Sequence, residues 1–246
     1  MILLIIKGML IGIANIIPGV SGGTMAVILG LYERITDAIG NFFLVPMKEK
    51  AKYIKFLFFL GIGGVLGILL FARVIEFSIL NYPKTTMSIF TLLILPSIPY
   101  IVKDEDKRNK KNILFLILGL IFMGIFMYIN ILYGDKTHTG ILVKTINTAY
   151  LFKLFLCGGV AAGAMIIPGI SGSMLLLVLG EYYNILGFIN NFNILLLFIF
   201  ALGVGVGLVL ISKIINILLK KYRSSTLFFI TGIMIVSIFQ MWINFI

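Results

Sequence analysis

Residues 8–32 read GMLIGIANIIPGVSGGTMAVILGLY, and residues 158–182 read GGVAAGAMIIPGISGSMLLLVLGEY. At a constant offset of 150, 11 of 25 positions are identical, among them Pro18/Pro168, Gly19/Gly169, Ser21/Ser171, Gly22/Gly172, Gly30/Gly180 and Tyr32/Tyr182. Chance in so apolar a composition gives roughly two or three matches, so the chain carries an internal duplication. Each stretch lies inside a longer apolar region, 2–39 and 150–188, interrupted midway by Pro and Gly. A weaker match follows at an offset of 140: Gly63/Gly203, Gly67/Gly207, Arg73/Lys213, Tyr82/Tyr222 and Thr86/Thr226. Each repeat is therefore a broken hairpin followed by two helices.

Composition fixes the environment. The 246 residues are 61% hydrophobic and 12% charged, with a mean hydropathy of +1.15. A soluble domain is about half apolar and a quarter charged, so a soluble, disordered or disulfide-scaffold chain is excluded. Apolar runs at 54–80, 86–102, 113–133, 194–219 and 227–246 are read as spanning helices. The N-terminal region carries Lys7 within its apolar run and no cleavage-site pattern, and is read as mature structure. The loops are short, so residues 1–246 form a single membrane domain: repeat A over 1–103, a linking helix over 113–133 and repeat B over 150–246. The expected class is an all-α integral membrane protein, multi-pass in the plasma membrane.

The unmatched helix at 113–133 decides the sense of the duplication. If each broken region enters and leaves on one side, three crossings precede the second repeat and the repeats are inverted. If each crosses once, they are parallel. The same-side model gathers Lys48, Lys50, Lys52 and Lys55, the run KDEDKRNKK at 103–111, and Lys220, Lys221 and Arg223 on one side. The parallel model separates the last three. The net charge of +11 thus becomes an orientation signal. It favours inverted repeats and directs the basic loops to anionic phospholipid rather than nucleic acid. Arms of about 15 residues, roughly 22 Å at helical rise, favour re-entrant hairpins over full spans.

The P-G-x-S-G turns are the candidate site. Proline removes a donor and glycine allows close backbone approach, so each turn leaves non-helical backbone at membrane depth. Free N–H groups after the glycines, with nearby hydroxyls, suit an anion. Inverted repeats commonly bring such tips together at the midplane. The plainer account is two Gly-Pro turns that let hairpins pack. The Gly63/Gly67 and Gly203/Gly207 pairs are assigned to close helix packing. Ionisable groups near apolar segments are candidates for coupling or gating: Glu33, Arg34, Glu76, Glu181, Lys153 and Lys213, with Arg73 three residues before Glu76 and able to pair with it. Snorkelling is the competing account.

Enzyme chemistry is poorly supplied. The sequence has one cysteine, Cys157, and one histidine, His138, in a polar stretch. A disulfide, a Cys-based metal site and a histidine-activated serine at GVSG or GISG are thereby disfavoured. No cofactor or metal is expected.

The strings ANIIPGVSGGTMAVILGLYERI and GAMIIPGISGSMLLLVLGEYYNIL resemble the DUF368 membrane family over nearly the whole chain. The first motif is matched by Pro18, Gly19, Ser21, Gly22, Gly23 and Thr24, the second by Pro168, Gly169, Ser171, Gly172 and Ser173. The sequence departs from the family pattern at Asn15, where an acidic residue is usual, and at Leu92 and Pro96. The resemblance implies a polyprenyl-phosphate (undecaprenyl-phosphate) translocase that returns the lipid carrier from the outer to the inner leaflet. These motif residues, with Asn15 and Arg73, would then bind the phosphate. A transporter for a small anion or other solute would use the same tips, and a membrane scaffold would use them only for packing. The sequence leaves homo-oligomer formation open.

Overall fold

A computed structural model describes residues 1–17, 20–133 and 146–243. Among these the chain forms twelve helices: α1 (Ile2–Ile16), α2 (Gly22–Ile28), α3 (Tyr32–Gly40), α4 (Met47–Asn81), α5 (Pro83–Ile94), α6 (Ser97–Ile101), α7 (Lys110–Tyr133), α8 (Thr148–Ile166), α9 (Gly172–Val178), α10 (Tyr182–Asn190), α11 (Ile194–Lys221) and α12 (Arg223–Ile243). Six helical stretches, α4, α5 with α6, α7, α8, α11 and α12, are long and apolar enough to cross a membrane. The protein is an all-α, multi-pass membrane protein. Pro18, Gly19, Lys136, His138 and Lys144 lie outside the described residues.

Two boundaries differ from the sequence expectation. The run at 86–102 is not one helix, because Pro96 ends α5 and a short α6 follows. The hairpin arms are unequal. The first arms are α1, of 15 residues, and α8, of 19. Each second arm is broken again. After the seven residues of α2, Gly30 turns to φ +66°, Gly30 N–H bonds Val27 O and Leu31 N–H bonds Ala26 O. After α9, Gly180 at φ +71° repeats this pattern with Leu177 and Leu176. Such paired bonds stop a helix and need a left-handed residue, which glycine supplies without a Cβ penalty. The chain then bends, by 107° between α9 and α10.

The duplication is visible as duplicated packing. In the first repeat α1 lies on α4, and a Cβ on Gly8, Gly12, Gly63 or Gly67 would overlap the backbone of the facing helix. In the second, α8 lies on α11, with Gly158, Gly203 and Gly207 in the same position. Small residues at i, i+4 remove the side chains that hold helices apart, as expected of these pairs. A third seam, Gly119 against Gly232, joins α7 to α12. The largest buried cluster runs from Ala14 and Ile17 through Met87 and Ile94 to Met234 and Met241, drawing on both repeats.

Candidate functional site

The two tips meet. Ser21 caps α2, its Oγ accepting from Thr24 N–H at 3.1 Å. The same Oγ and Thr24 Oγ1 accept from the backbone N–H of Gly169, in the opposite motif, at 2.9 and 2.8 Å. A third contact of 3.0 Å joins the two hydroxyls. Both lone pairs of Ser21 Oγ are then engaged, so its proton goes to Thr24 Oγ1. Gly23 closes the seam. A Cβ there would sit 3.0 Å from Ile166 O and 3.3 Å from Pro168 Cα. Gly169, at φ +90°, lies against Ile233 and Ser237 of α12. Ser21 and Thr24 are buried, so the hydroxyls of the first tip serve the joint between the motifs.

The second tip is more open. Ser171 and Ser173 share a 2.8 Å hydrogen bond on an exposed edge. Ser171 precedes α9 but makes no capping bond to it. Asn15 receives Gly22 N–H on its Oδ1 at 2.9 Å. Its counterpart, Met165, lies against Gly172 with an apolar thioether side chain.

Cavities flank the seam on opposite faces of α8. One, of about 460 Å³, is lined wholly by apolar residues, including Phe122, Phe126, Val160, Ile170, Leu175, Val206 and Leu210. Ile170 and Leu175 bracket Ser171 and Ser173. The other, of about 300 Å³, is lined by Asn15, Gly22, Gly23, Tyr32 and Thr36 as well as aliphatic residues. Tyr32 is 5% exposed and its hydroxyl has no partner among the described residues.

The ionisable candidates separate into groups. Glu181, 1% exposed, takes Lys153 Nζ at 2.6 Å, Tyr150 O–H at 2.8 Å and Asn184 Nδ2 at 2.9 Å. In the first repeat Lys7 Nζ donates to Leu29 O at 2.8 Å, so a lysine from the first arm supports the second break in both halves. Glu33 pairs with Arg223 at 2.7 Å, and Arg34 stacks 4.1 Å from the Phe56 ring centroid. Arg223 also reaches Glu105, which accepts from Ser224. Lys213 is half-buried, its backbone against Gly40. Arg73 and Glu76 stand exposed on α4 and bond neither each other nor any other described residue. They are not brought to the tips.

Asp37 was not singled out from the sequence. It accepts from Tyr53 at 2.6 Å, Asn41 at 2.9 Å, Asn216 at 3.0 Å and Lys220 at 2.9 Å. Asn41 also reaches Asn216 at 3.3 Å. This network gathers α3, the start of α4 and the C-terminal end of α11. The only local signal was Asp37 and Asn41 four apart on one helical face. The described residues include no cluster of His, Cys, Asp and Glu able to hold a metal.

A multi-pass helical protein whose two duplicated hairpins dock tip to tip beside a wholly apolar cavity and a largely apolar one that also holds Asn15, Tyr32 and Thr36 is built as a transporter is built. The comparisons specify which. The VCA0040-like family, described as undecaprenyl phosphate translocase-like, matches residues 11–245, and the chain belongs to that family. A polyprenyl-phosphate transporter of Vibrio cholerae serotype O1 is 32% identical, over 96% of this chain and 76% of the relative. One of Staphylococcus aureus is 30% identical, over 97% of this chain and 85% of the relative. These are named as transporters, not enzymes. No solved structure matches the chain.

Proposed function

We propose that this protein carries polyprenyl phosphate across the plasma membrane. It returns the carrier from the outer to the inner leaflet for reuse in envelope polymer synthesis, through two inverted repeats. The observation that carries this reading is the tip-to-tip seam with a wholly apolar cavity on one side and a cavity holding Asn15, Tyr32 and Thr36 on the other. The headgroup needs donors: the Ser171 and Ser173 hydroxyls, the Asn15 amide NH2, the Tyr32 hydroxyl, which has no partner among the described residues, and the backbone of Gly23 and Gly172. The prenyl chain needs an apolar path, and the larger cavity begins at the residues bracketing Ser171 and Ser173. In this reading Ser21, Thr24, Pro168 and Gly169 hold the tips together and leave the second tip to meet the phosphate.

Inversion is supported by one contact set. α4 and α11 are equivalent helices, yet Tyr53, near the start of α4, and Lys220, near the end of α11, both bond Asp37. Equivalent helices running oppositely past a common residue are what inverted repeats require. The same end holds the basic loops, where anionic phospholipid would be met.

The test is reconstitution into proteoliposomes with labelled polyprenyl phosphate, with and without a pH gradient. A rise in leaflet exchange at least tenfold over protein-free vesicles is expected. Uptake of inorganic phosphate without lipid exchange would replace this reading with a small-anion transporter.

A further inference from the structure

The repeats agree internally and differ in how they touch each other. In both, the first arm lies on the second long helix, and the second arm stops and turns at a left-handed glycine. Yet α3 of the first repeat packs closely along α11 of the second, while α10, the equivalent of α3, makes no comparable contact with α4, the equivalent of α11. It lies instead by α9 and the start of α11.

The formed interface is specific. A Cβ on Gly40 would lie 2.6 Å from Lys213 N. Asn41 reaches Asn216, and Asp37 holds Asn216 and Lys220. The repeat offsets map four of these partners to polar residues on the unformed side: Gly40 to Asn190, Asn41 to Asn191, Lys213 to Arg73 and Asn216 to Glu76; Asp37 and Lys220 map to Gly187 and Leu80. All four of these polar residues are exposed, and Arg73 and Glu76 bond none of the described residues. An unpartnered charge pair on a spanning helix is costly and calls for a partner.

We propose that the structure is one of two exchangeable states, closed between α3 and α11, and that in the second state α10 closes on α4, setting Asn190 and Asn191 against Arg73 and Glu76. The inference rests on the transporter reading above. The second contact is not a copy of the first. Asn190 carries a side chain where Gly40 has none, so α10 approaches less closely and the amides bridge the gap. Amide-to-carboxylate and guanidinium-to-amide bonds are charge-assisted and replace the backbone contact. Opening α3 from α11 exposes Lys213 and Asn216 while the equivalent pair on α4 becomes covered. A load held at the tips is thereby offered alternately to the two sides. Arg73 and Glu76 act as a latch, distinct from the phosphate site.

The test is disulfide trapping in a Cys157→Ala background in proteoliposomes. Asn41→Cys with Asn216→Cys reports the present state. Asn190→Cys with Arg73→Cys and Asn191→Cys with Glu76→Cys report the second. All three pairs are expected to cross-link. Each bridge should lower transport at least tenfold, with recovery on reduction. Spin labels on Asn191 and Glu76 should show a second, shorter distance population. If the Asn41/Asn216 pair bridges, both second-state pairs fail in protein that still transports when reduced, and the labels show one long distance, the inference is overturned. Cross-linking needs no substrate. If the second-state pairs bridge in protein that moves no polyprenyl phosphate, the two states stand and the substrate reading falls.

Discussion

The joint between the tips makes a prediction that its parts do not. Gly169 N–H is shared by two acceptors, Ser21 Oγ and Thr24 Oγ1, both buried. Ser21→Ala removes one acceptor and the α2 cap, a loss of about 1 kcal/mol. Thr24→Val keeps the shape and removes the other acceptor, for about 0.5–1 kcal/mol. After either change Gly169 N–H still has a partner. Removing both leaves it unsatisfied at a depth where water is scarce, which costs about 1–3 kcal/mol. The double variant should therefore be less stable than the sum of the singles by roughly 1–2 kcal/mol. Gly169 has little room to turn away, because its φ of +90° and its contacts with Ile233 and Ser237 fix the backbone. The assay is a double-mutant cycle on reversible unfolding in micelles. Additivity within about 0.5 kcal/mol would refute the shared-donor account and show that water or backbone movement satisfies Gly169.

Four further outcomes are expected. Ser171→Ala/Ser173→Ala, on an exposed edge, should lower polyprenyl-phosphate exchange at least tenfold with unfolding changed by less than about 0.5 kcal/mol; equal losses of both would assign the pair to folding. Val206→Trp, filling the apolar cavity, should raise the apparent KM for a long prenyl phosphate more than for a short one, read by exchange kinetics. Lys153→Met strands Glu181, and because the lysine is itself half-exposed the loss should be about 1–3 kcal/mol; adding Glu181→Gln should restore part of it in thermal unfolding. Gly207→Leu drives a side chain into the Gly159 backbone and should reduce folded protein recovered in detergent far more than Gly205→Leu, where a Cβ meets open space.

Much of the fold was legible because it depends on residues that leave a periodic or compositional mark. Apolar runs of spanning length identified α4, α7, α11 and α12, and the repeated glycines identified which helices would touch. The second break in each hairpin was legible in principle. Gly30 and Gly180 are among the matched positions, but a lone glycine in an apolar run is ambiguous until its carbonyl partners are known. The unequal arms escaped for the same reason. Of the site, the meeting of the tips was legible from duplication and proline, and the exchange of roles between them was not. Ser21 and Ser171 occupy equivalent positions in the sequence. Only the bond to Gly169 N–H shows that one builds the joint while the other remains open.

What sequence reading missed lies almost entirely between the repeats. The network at Asp37 joins residues 37, 53 and 216–220, and no local pattern announces pairs so far apart. A duplication makes each half predictable from the other, yet two halves of unequal sequence need not touch each other symmetrically. Gly40 faces α11 with no side chain, where Asn190 has one. Asp37 binds four donors where its equivalent, Gly187, can bind none through a side chain. The interface between α3 and α11 is therefore the more strongly held of the two, by its backbone contact at Gly40 and by the bonds of Asp37 to Asn216 and Lys220, which its counterpart lacks. A transporter built this way rests on one side and visits the other. Asp37→Asn removes the charge but keeps the shape. It should shift the balance toward the α10–α4 contact, raising cross-linking of Asn191→Cys with Glu76→Cys. Unchanged cross-linking in that variant would mean that Asp37 braces the fold without setting the balance between its two ends.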